Sequence, residues 1–310
     1  MFNPNVMHVN TPKIVSIGEV LWDVFPDRKC FGGAPANFAC HAAIQGAHIA
    51  VVSAVGADQH GRDAIEMMRR FDIDIRCVDT VRNAPTGTVS VNVDSAGKPS
   101  FIIHENSAWD YIKWTSQVET LVEATDAIYF GTLGQRSKLS RDTLSQSLEI
   151  ARTTNTLRLV DINLREPFYD REIIRQSLGF ANLLKLSNDE LPTVLSACGI
   201  ASDTSIEKQL CCLRDQYSLD LIVMTSGEEG AILITPDAVM SQHATPTTLK
   251  DTVGAGDSFA AAFLLGVLRG HSYEQVLRKA CDVAAATCSH VGAVPKIESK
   301  GLGRPASVTD

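Results

Sequence analysis

No stretch of the 310-residue chain concentrates basic residues, and the formal net charge is −8. Nucleic acids and anionic membranes are usually bound by clustered lysine and arginine, so neither is expected as a partner. An anionic ligand would have to be held by local features such as helix N-termini and single arginines.

Long apolar segments are also missing. The N-terminal stretch MFNPNVMHVNTPK has no apolar core of the kind found in signal peptides, and the longest apolar run, Phe259–Leu268, is too short to span a bilayer. The eight cysteines form no C-x-x-C pair and no zinc-ligand spacing. Reduced thiols in a cytoplasmic protein are therefore expected.

Two common nucleotide-binding loops are absent. The chain contains no G-x-x-x-x-G-K-[ST], and no G-x-G-x-x-G follows its first predicted strand. These absences disfavour a P-loop NTPase and an ordinary Rossmann dehydrogenase.

What the chain does contain is an alternation of strand-like and helix-like runs. Buried strands are predicted for KIVSIGEV, HIAVVSAVG, DAIYFGTL, RLVDINL, NLLKLS and DLIVMTS. Helical or polar segments follow each of them, which favours a doubly wound α/β fold with a mostly parallel sheet and helices on both faces. The length alone is compatible with one large domain or with two.

One region departs from this alternation. Residues 86–93 (TGTVSVNV) alternate with period two, DSAGKP predicts a turn, and SFIIHE returns as a second strand. Together with LWDVFPDRKCFGG, this hairpin predicts a small antiparallel layer, the lid, from about residues 19–33 and 84–110. A lid can cover a ligand, although a plain insertion hairpin fits equally well. The tail, residues 299–310, is expected to be loosely ordered.

The stretch DTVGAGDSFAAAFLLGVLRG predicts a long apolar helix that begins beside Gly254 and Gly256. Glycines there let the backbone approach an anion, and the helix dipole adds positive potential. Asp257 would then stay ionised and could act as a general base for a hydroxyl that attacks a phosphoryl group. A glycine turn with a capping aspartate is the structural alternative.

Two further segments carry polar groups suited to a polyhydroxy ligand. In GEVLWDVFP, Glu19 and Asp23 share one face of an extended strand, where buried acids need hydrogen-bond donors. In FGGAPANFA, the pair Gly32-Gly33 precedes a helix whose first turn holds Asn37. A turn before Pro26 and a simple Gly-Pro helix start are the structural alternatives.

Three strand ends predict nucleotide contacts, because ligands of open α/β sheets bind at the carboxyl ends of strands. Arg165, in VDINLR, is suited to phosphate. In SNDE, Ser187 and Glu190 form a capping box, or Glu190 holds the waters of a magnesium ion. Thr225 and Gly227, in MTSGEEG, are suited to a nucleotide or to any turn.

Two long segments carry a family resemblance. DTVGAGDSFAAAFLLGVL resembles the C-terminal signature of the ribokinase-like (PfkB) carbohydrate kinases, and GGAPANFACHAAIQGAHIAVVSAVGADQHG resembles their N-terminal signature. The resemblance covers about residues 13–298. GEVLWD, GGAPANFA and DINLR look most like the fructokinase branch.

The resemblance implies a doubly wound domain with a β lid, and phosphorylation of a hydroxymethyl group by ATP. It identifies Asp257 as the catalytic base and Gly254, Ala255 and Gly256 as the anion hole. Asp23, Gly33 and Asn37 correspond to sugar contacts, Arg165 to a phosphate contact, Glu190 to a magnesium motif and Asp251 to a potassium site. Ser187 replaces the family's asparagine in that motif, and Trp109-Asp110 stands where many members have Ala-Asp.

The sequence therefore predicts a single ribokinase-like domain over residues 1–310, acting as a fructokinase with ATP, Mg²⁺ and K⁺, and forming a homodimer. The predicted substrate contacts are Glu19, Asp23, Gly32, Gly33, Asn37, Trp109 and Arg165, with Trp22 as a further pocket residue; the nucleotide contacts are Arg165, Thr225, Gly227, Gly254 and Gly256. Ribose, 2-keto-3-deoxygluconate and a nucleoside are the alternative acceptors. A silent sugar-sensing protein and a dehydrogenase are the alternatives of another class.

Overall fold

The computed structural model describes residues 11–93 and 99–294. Its strands, numbered along the chain, are β1 (Lys13–Ile17), β2 (Leu21–Val24), β3 (Lys29–Gly32), β4 (His48–Gly56), β5 (Asp74–Val81), β6 (Gly87–Val93), β7 (Pro99–Ile103), β8 (Ala127–Gly131), β9 (Leu157–Asp161), β10 (Leu183–Ser187), β11 (Leu221–Thr225), β12 (Ala231–Ile234) and β13 (Val239–Gln242). Nine of them form one sheet in the order β13-β12-β11-β10-β9-β8-β1-β4-β5. The run from β11 to β5 is parallel, and β12 and β13 extend it as an antiparallel edge.

Helices cover both faces of this sheet. They are α1 (Ala34–Ile44), α2 (Gln59–Arg70), α3 (Ser116–Glu123), α4 (Lys138–Thr153), α5 (Arg171–Phe180), α6 (Leu191–Cys198), α7 (Ile206–Tyr217), α8 (Ala255–Leu268) and α9 (Tyr273–Cys288). One apolar core lies between the sheet and α1, α2, α8 and α9, and a second lies between the sheet and α3 to α7. The predicted doubly wound α/β fold is confirmed. Within the described ranges, no helix is both long enough and apolar enough to cross a membrane.

The apolar character of α8 follows from its place inside the molecule. All residues from Ser258 to Leu268 are buried, and the helix packs between α1 and α9. Gly266 brings α8 close to α9, since a Cβ atom at this position would lie 2.9 Å from Val276 Cγ2. A helix enclosed on all sides needs no polar stripe. Its charged residue, Asp257, lies in the first turn.

The second sheet is the predicted lid, with the strand order β3-β2-β6-β7. Its β2–β3 and β6–β7 pairs are antiparallel, as predicted, whereas the central β2–β6 pair is parallel. Most of the predicted turn DSAGKP, at residues 94–98, and the predicted loose tail, at residues 299–310, lie outside the described residues. The assignment of the whole chain to a single domain stays a prediction.

Asp58 joins the lid to α2. One carboxylate oxygen accepts from the Gly61 amide at 2.8 Å, which caps α2, and from the Thr86 hydroxyl at 2.7 Å. The other oxygen accepts from the Thr86 amide at 2.8 Å. Thr86 immediately precedes β6, so a single side chain fixes where the second half of the lid leaves the main domain.

Replacing Asp58 should therefore cost more than the loss of an ordinary helix cap. Asp58→Ala should lower the free energy of unfolding by about 2–4 kcal/mol, because it removes an N-cap and leaves two Thr86 donors without their acceptor. Asp170 caps α5 through the Ile173 amide alone, so Asp170→Ala should cost only about 1 kcal/mol. Urea unfolding of the two variants provides the comparison, and equal losses would refute the linking role of Asp58.

Candidate active site

The N-termini of α1 and α8 meet at one hydrogen bond. Asn37, in the first turn of α1, donates from Nδ2 to Oδ2 of Asp257, in the first turn of α8, at 2.9 Å. Both helices direct the positive ends of their dipoles to this point. The structure thus brings together two residues that are far apart in the sequence and that were predicted independently as base and sugar contact.

The glycine at 254, before Asp257, is required by close backbone packing. Gly254 has a φ of 79°, in the left-handed region, and a Cβ atom there would lie 2.4 Å from the carbonyl oxygen of Ala293. The Ala255 amide donates to Thr252 O at 3.2 Å, whereas the hydrogen bonds of the described residues give the Gly254 and Gly256 amides no acceptor. Of the predicted anion hole, these two amides are the ones free to bind an anion.

The double glycine at 32–33 lets two acids pack against the start of α1. A Cβ atom on Gly32 would lie 2.8 Å from Oδ2 of Asp23, and one on Gly33 would lie 2.5 Å from the Glu19 carbonyl oxygen. Glu19 Oε1 accepts from the Ala34 amide at 3.2 Å. Its other oxygen, Oε2, is buried without a hydrogen-bond partner, and so is Oδ1 of Asn37.

The carboxyl groups of the site are harder to ionise than ordinary ones. Burial raises the pKa of Glu19 to about 7 and that of Asp23 to about 6. Burial also raises the pKa of Asp257, although the Asn37 hydrogen bond and the charges of Lys185 and Arg165 lower it. The net direction differs from the one expected from the helix dipole alone, and it suits a group that must accept a proton.

Arg165 contributes positive charge from the end of β9. Asn163 has a φ of 40°, and this left-handed turn leads the chain out of the sheet towards an exposed Arg165. Its guanidinium charge lowers the pKa values of Glu19, Asp23 and Asp257 against the effect of burial. Arg165 is therefore near enough to the three acids to favour their ionised forms.

The predicted nucleotide contacts lie at the carboxyl ends of neighbouring strands. Ser187, at the end of β10, is in register with Thr225, at the end of β11. Gly227 follows in an exposed left-handed turn with a φ of 54°. Glu190 follows β10 at the same edge. Along the sheet, β10 is the neighbour of β9, which leads into the Arg165 loop, and β11 is one strand further away.

Glu190 was predicted as the third helical residue of a capping box, but it immediately precedes α6 in the structure. Ser187 N and Ser187 Oγ both donate to Oε2 of Glu190, at 2.7 and 2.9 Å, but α6 begins only at Leu191, so Ser187 is not its N-cap. Oε1 accepts from the Leu164 amide at 2.8 Å. Oε2 thus uses both of its lone pairs and Oε1 keeps one, which fits a magnesium ion bound through water better than a directly coordinated one. Residues 11–93 and 99–294 contain no cluster of three or more potential metal ligands.

Asp251 connects the loop before α8 to the loop after α9. Oδ1 accepts from the Val253 amide at 3.1 Å, and Oδ2 accepts from the Gly292 amide at 2.9 Å. The same two loops meet where Ala293 lies against Gly254. Asp251 thus fixes the loop that leads to the free amides, and its predicted potassium site stays a prediction.

Trp22 does not line this space, and its predicted role has to be corrected, whereas the substrate contact of Trp109 stays a prediction. The Trp109 side chain is fully buried, and its ring lies 3.7 Å from the Arg136 guanidinium, which also bonds to Asp110 at 2.8 Å. Trp22 alternates with Asp23 along β2, so it faces the core and donates to the His60 carbonyl oxygen. The period of two in a strand separates Trp22 from the acid beside it.

Two buried residues near the site escaped the sequence-based prediction of function. Lys185 lies within β10, and its Nζ would touch a Cβ atom on Gly256 at 3.3 Å. It donates to both oxygens of Asp161, at 2.9 and 2.8 Å. The signals in the sequence were a lysine within the apolar strand NLLKLS and the alternation of Asp161 with apolar residues in VDINLR.

The comparison with protein families is unambiguous over most of the chain. The profile of the pfkB family carbohydrate kinases matches residues 11–300. A probable fructokinase of Arabidopsis thaliana is 26% identical over 93% of both chains. An ATP-dependent 6-phosphofructokinase of Thermoanaerobacterium thermosaccharolyticum is also 26% identical, over 95% of this chain and 94% of its own.

A solved structure agrees with the fold. An uncharacterised sugar kinase from Pyrococcus horikoshii in complex with ATP is 27% identical, with a TM-score of 0.77, and the match covers 90% of this chain and 93% of that one. These relatives therefore match nine tenths or more of the chain.

The raised pKa of Glu19 makes the stability of the protein depend on pH. Its pKa of about 7 lies above the ordinary 4.5, so the folded protein loses stability as the pH rises between these values. Glu19→Gln removes this loss and should become more stable relative to the unmodified chain by about 2–3 kcal/mol between about pH 5 and about pH 8. Thermal or urea unfolding across this range measures the difference.

The matched control is Glu149→Gln, which neutralises an exposed glutamate on α4. Its effect should be the same at both ends of the pH range. A pH-independent effect of Glu19→Gln would contradict the raised pKa.

Proposed function

The chain belongs to the pfkB family of carbohydrate kinases, and from that premise we propose that it transfers the γ-phosphoryl group of ATP to a primary hydroxyl of a small neutral sugar, with fructose as acceptor. The product is then fructose 6-phosphate. Glu19, Asp23 and Asn37, with the glycines 32–33, would bind the sugar, and Asp257 would act as the base.

The observation that carries this proposal is a pair of buried acceptors without donors. Glu19 Oε2 and Asn37 Oδ1 have no hydrogen-bond partner, although both side chains are at least 95% buried. An unpaired buried acceptor costs about 1–3 kcal/mol. Sugar hydroxyls are donors that could satisfy both atoms, and Asn37 holds Asp257 within hydrogen-bond distance of the same place.

The charge of the site supports a neutral acceptor. Glu19 and Asp23 both lie within the field of Asp257, and the negative charge of Asp257 contributes to their raised pKa values. A carboxylate or phosphate on the acceptor would add to this repulsion, and Arg165 would be its main exposed counter-charge. The resemblance to fructokinases selects fructose among the neutral sugars.

In the proposed reaction, Asp257 accepts the proton of the sugar hydroxyl as its oxygen attacks the γ-phosphorus. The new bond joins this oxygen to phosphorus, the bond from phosphorus to the β-phosphate oxygen breaks, and ADP leaves with that electron pair. Asp257 then releases the proton to water. The Gly254 and Gly256 amides would bind the oxygens of the transferring group, which carry charge in the transition state.

Arg165, Thr225 and Gly227 would hold the nucleotide at the ends of β9 and β11. Glu190 would hold a magnesium ion through water, and bound magnesium neutralises charge on the β- and γ-phosphates. Asp251 and nearby carbonyl oxygens would hold a potassium ion, since hard oxygen ligands suit it. Closure of the lid would exclude water from the reaction.

Two further proposals concern the state of the protein. All eight cysteines are free thiols, which supports a reducing compartment such as the cytoplasm.

Phe101 and Ile102, on the lid strand β7, are more than half exposed. These apolar side chains support a homodimer in which the lids take part.

Asp257→Asn tests the base. The substitution conserves volume and can keep the Asn37 hydrogen bond, so kcat should fall by roughly 10²–10⁴ while sugar binding changes little. Steady-state kinetics and calorimetry with the sugar measure the two effects. Asp142→Asn, on the exposed side of α4, should leave both unchanged. A variant at 257 that keeps most of its kcat would remove the assignment.

A panel of acceptors tests the substrate. We expect D-fructose to give the highest kcat/KM for ADP release, ahead of ribose, 2-keto-3-deoxygluconate, adenosine and fructose 6-phosphate, because the buried acceptors need a full set of hydroxyls and the acids repel anions. A higher value for another acceptor would refute fructose and keep the kinase. Sugar binding with no ADP release from any acceptor would favour a sugar-sensing protein.

A further inference from the structure

A buried ion pair lies directly beneath the first turn of α8. Lys185 Nζ donates to both oxygens of Asp161, at 2.9 and 2.8 Å, and both side chains are at least 93% buried. Burial alone would lower the pKa of Lys185, but the Asp161 carboxylate outweighs it and raises that pKa. Burial raises the pKa of Asp161, while the charge of Lys185 and its hydrogen bonds lower it.

The position of this ammonium group is electrostatically unfavourable for the fold. Nζ lies against Gly256, where a Cβ atom would be only 3.3 Å away, beside the positive end of the α8 dipole. A cation at a helix N-terminus is destabilising, and a buried ion pair often contributes less stability than apolar packing. A cation placed there is useful when an anion occupies the same helix end.

The ion pair is also fixed in place from the side of α1. Tyr129 donates from its hydroxyl to Oδ2 of Asp161 at 3.1 Å, and its ring stacks on Phe38 with centroids 3.9 Å apart. Phe38 follows Asn37, which holds Asp257. The contacts therefore form a closed path from Asp257 through α1, β8, β9 and β10 back to the start of α8.

We propose that Lys185, held by Asp161, is a positioning residue for phosphoryl transfer: it keeps the Asp257 carboxylate charged for proton abstraction and strengthens the anion-binding field of the Gly254–Gly256 turn. This inference rests on the proposed kinase reaction. Lys185 acts through Asp257 and the backbone amides.

Other charged and titratable groups near Asp257 also affect its pKa, and the test must separate their effects from that of Lys185. They are Glu19 in the segment after β1, Asp23 on β2, Tyr129 on β8, Asp161 on β9 and Arg165 after β9. Lys185 and Arg165 lower the pKa of Asp257 against the effect of burial. The charge of Asp257 raises the pKa of Asp161, and because repulsion between like charges is reciprocal, removal of the Asp161 charge should favour an ionised Asp257.

The test uses two substitutions that should act with opposite signs. Lys185→Met removes the cation and should move the acid limb of the kcat/KM profile for the sugar to higher pH by about one unit or more. Asp161→Asn keeps the cation, removes its neutralising partner, and should move the same limb to lower pH. General loosening of the site would not give opposite shifts.

Three further variants complete the design. Lys185→Met/Asp161→Asn removes the carboxyl that the single Lys185 substitution leaves unpaired, and it should keep the limb at or above its original position. Lys185→Arg, which retains the charge, should restore most of the original profile. Arg158→Met removes a half-buried cation at the opposite end of β9, where Arg158 bonds to Phe180 and Thr156 carbonyls, and it should leave the limb unmoved.

Each outcome decides the question. Opposite shifts support the proposal; shifts of the same sign, or none, overturn it. If Lys185→Met does not fold, as judged by thermal unfolding, the sign of the Asp161→Asn shift decides alone. An unmodified protein that releases no ADP with any sugar would instead refute the proposed function, which separates that failure from this one.

Discussion

The site depends on one arrangement: the N-termini of two helices, α1 and α8, point at each other across a space that contains three carboxyl groups. The bond from Asn37 to Asp257 closes this arrangement. Burial opposes ionisation of the acids, while helix dipoles, backbone amides and two cations favour it. The balance leaves Asp257 with a raised pKa and thus with the capacity to accept a proton. The glycines before each helix permit this close approach, because a Cβ atom at Gly33 or Gly254 would clash with neighbouring backbone.

Much of the fold could be predicted because its signals are local. Buried strands such as HIAVVSAVG and DLIVMTS are short apolar runs, and they correspond to β4 and β11. The glycine pairs at 32–33 and 254–256 also predicted helix starts with close backbone approach, and the structure has them. The strand β5 was missed because Asp74–Val81 is half exposed and mixes charged with apolar residues.

The parts that could not be predicted are those set by tertiary contacts. Whether Trp109 faces a pocket or the Arg136 guanidinium depends on residues far away in the chain. The start of α6 at Leu191 depends on Glu190 using its side chain to hold Leu164 N and Ser187. Lys185 is a lysine in an apolar strand, and its proximity to the first turn of α8 follows only from the placement of β10 in the sheet. Sequence patterns predict on which face of a strand, or at which end of a helix, such a residue lies, but they do not predict which residue it contacts.

The lid combines two segments, β2–β3 and β6–β7, that are far apart in the chain and are joined by the parallel pairing of β2 with β6. Each segment begins and ends on the main domain, so the pairing depends on the placement of β1, β4 and β5, which hold the two segments side by side. Its small apolar cluster centres on Leu21, Val89 and Val91. Such a layer assembles late and opens first, because closing long loops is entropically costly and its own core is small. Amide protons of β2 and β6 should exchange with solvent through partial opening, while those of β8 and β9 exchange only through global unfolding.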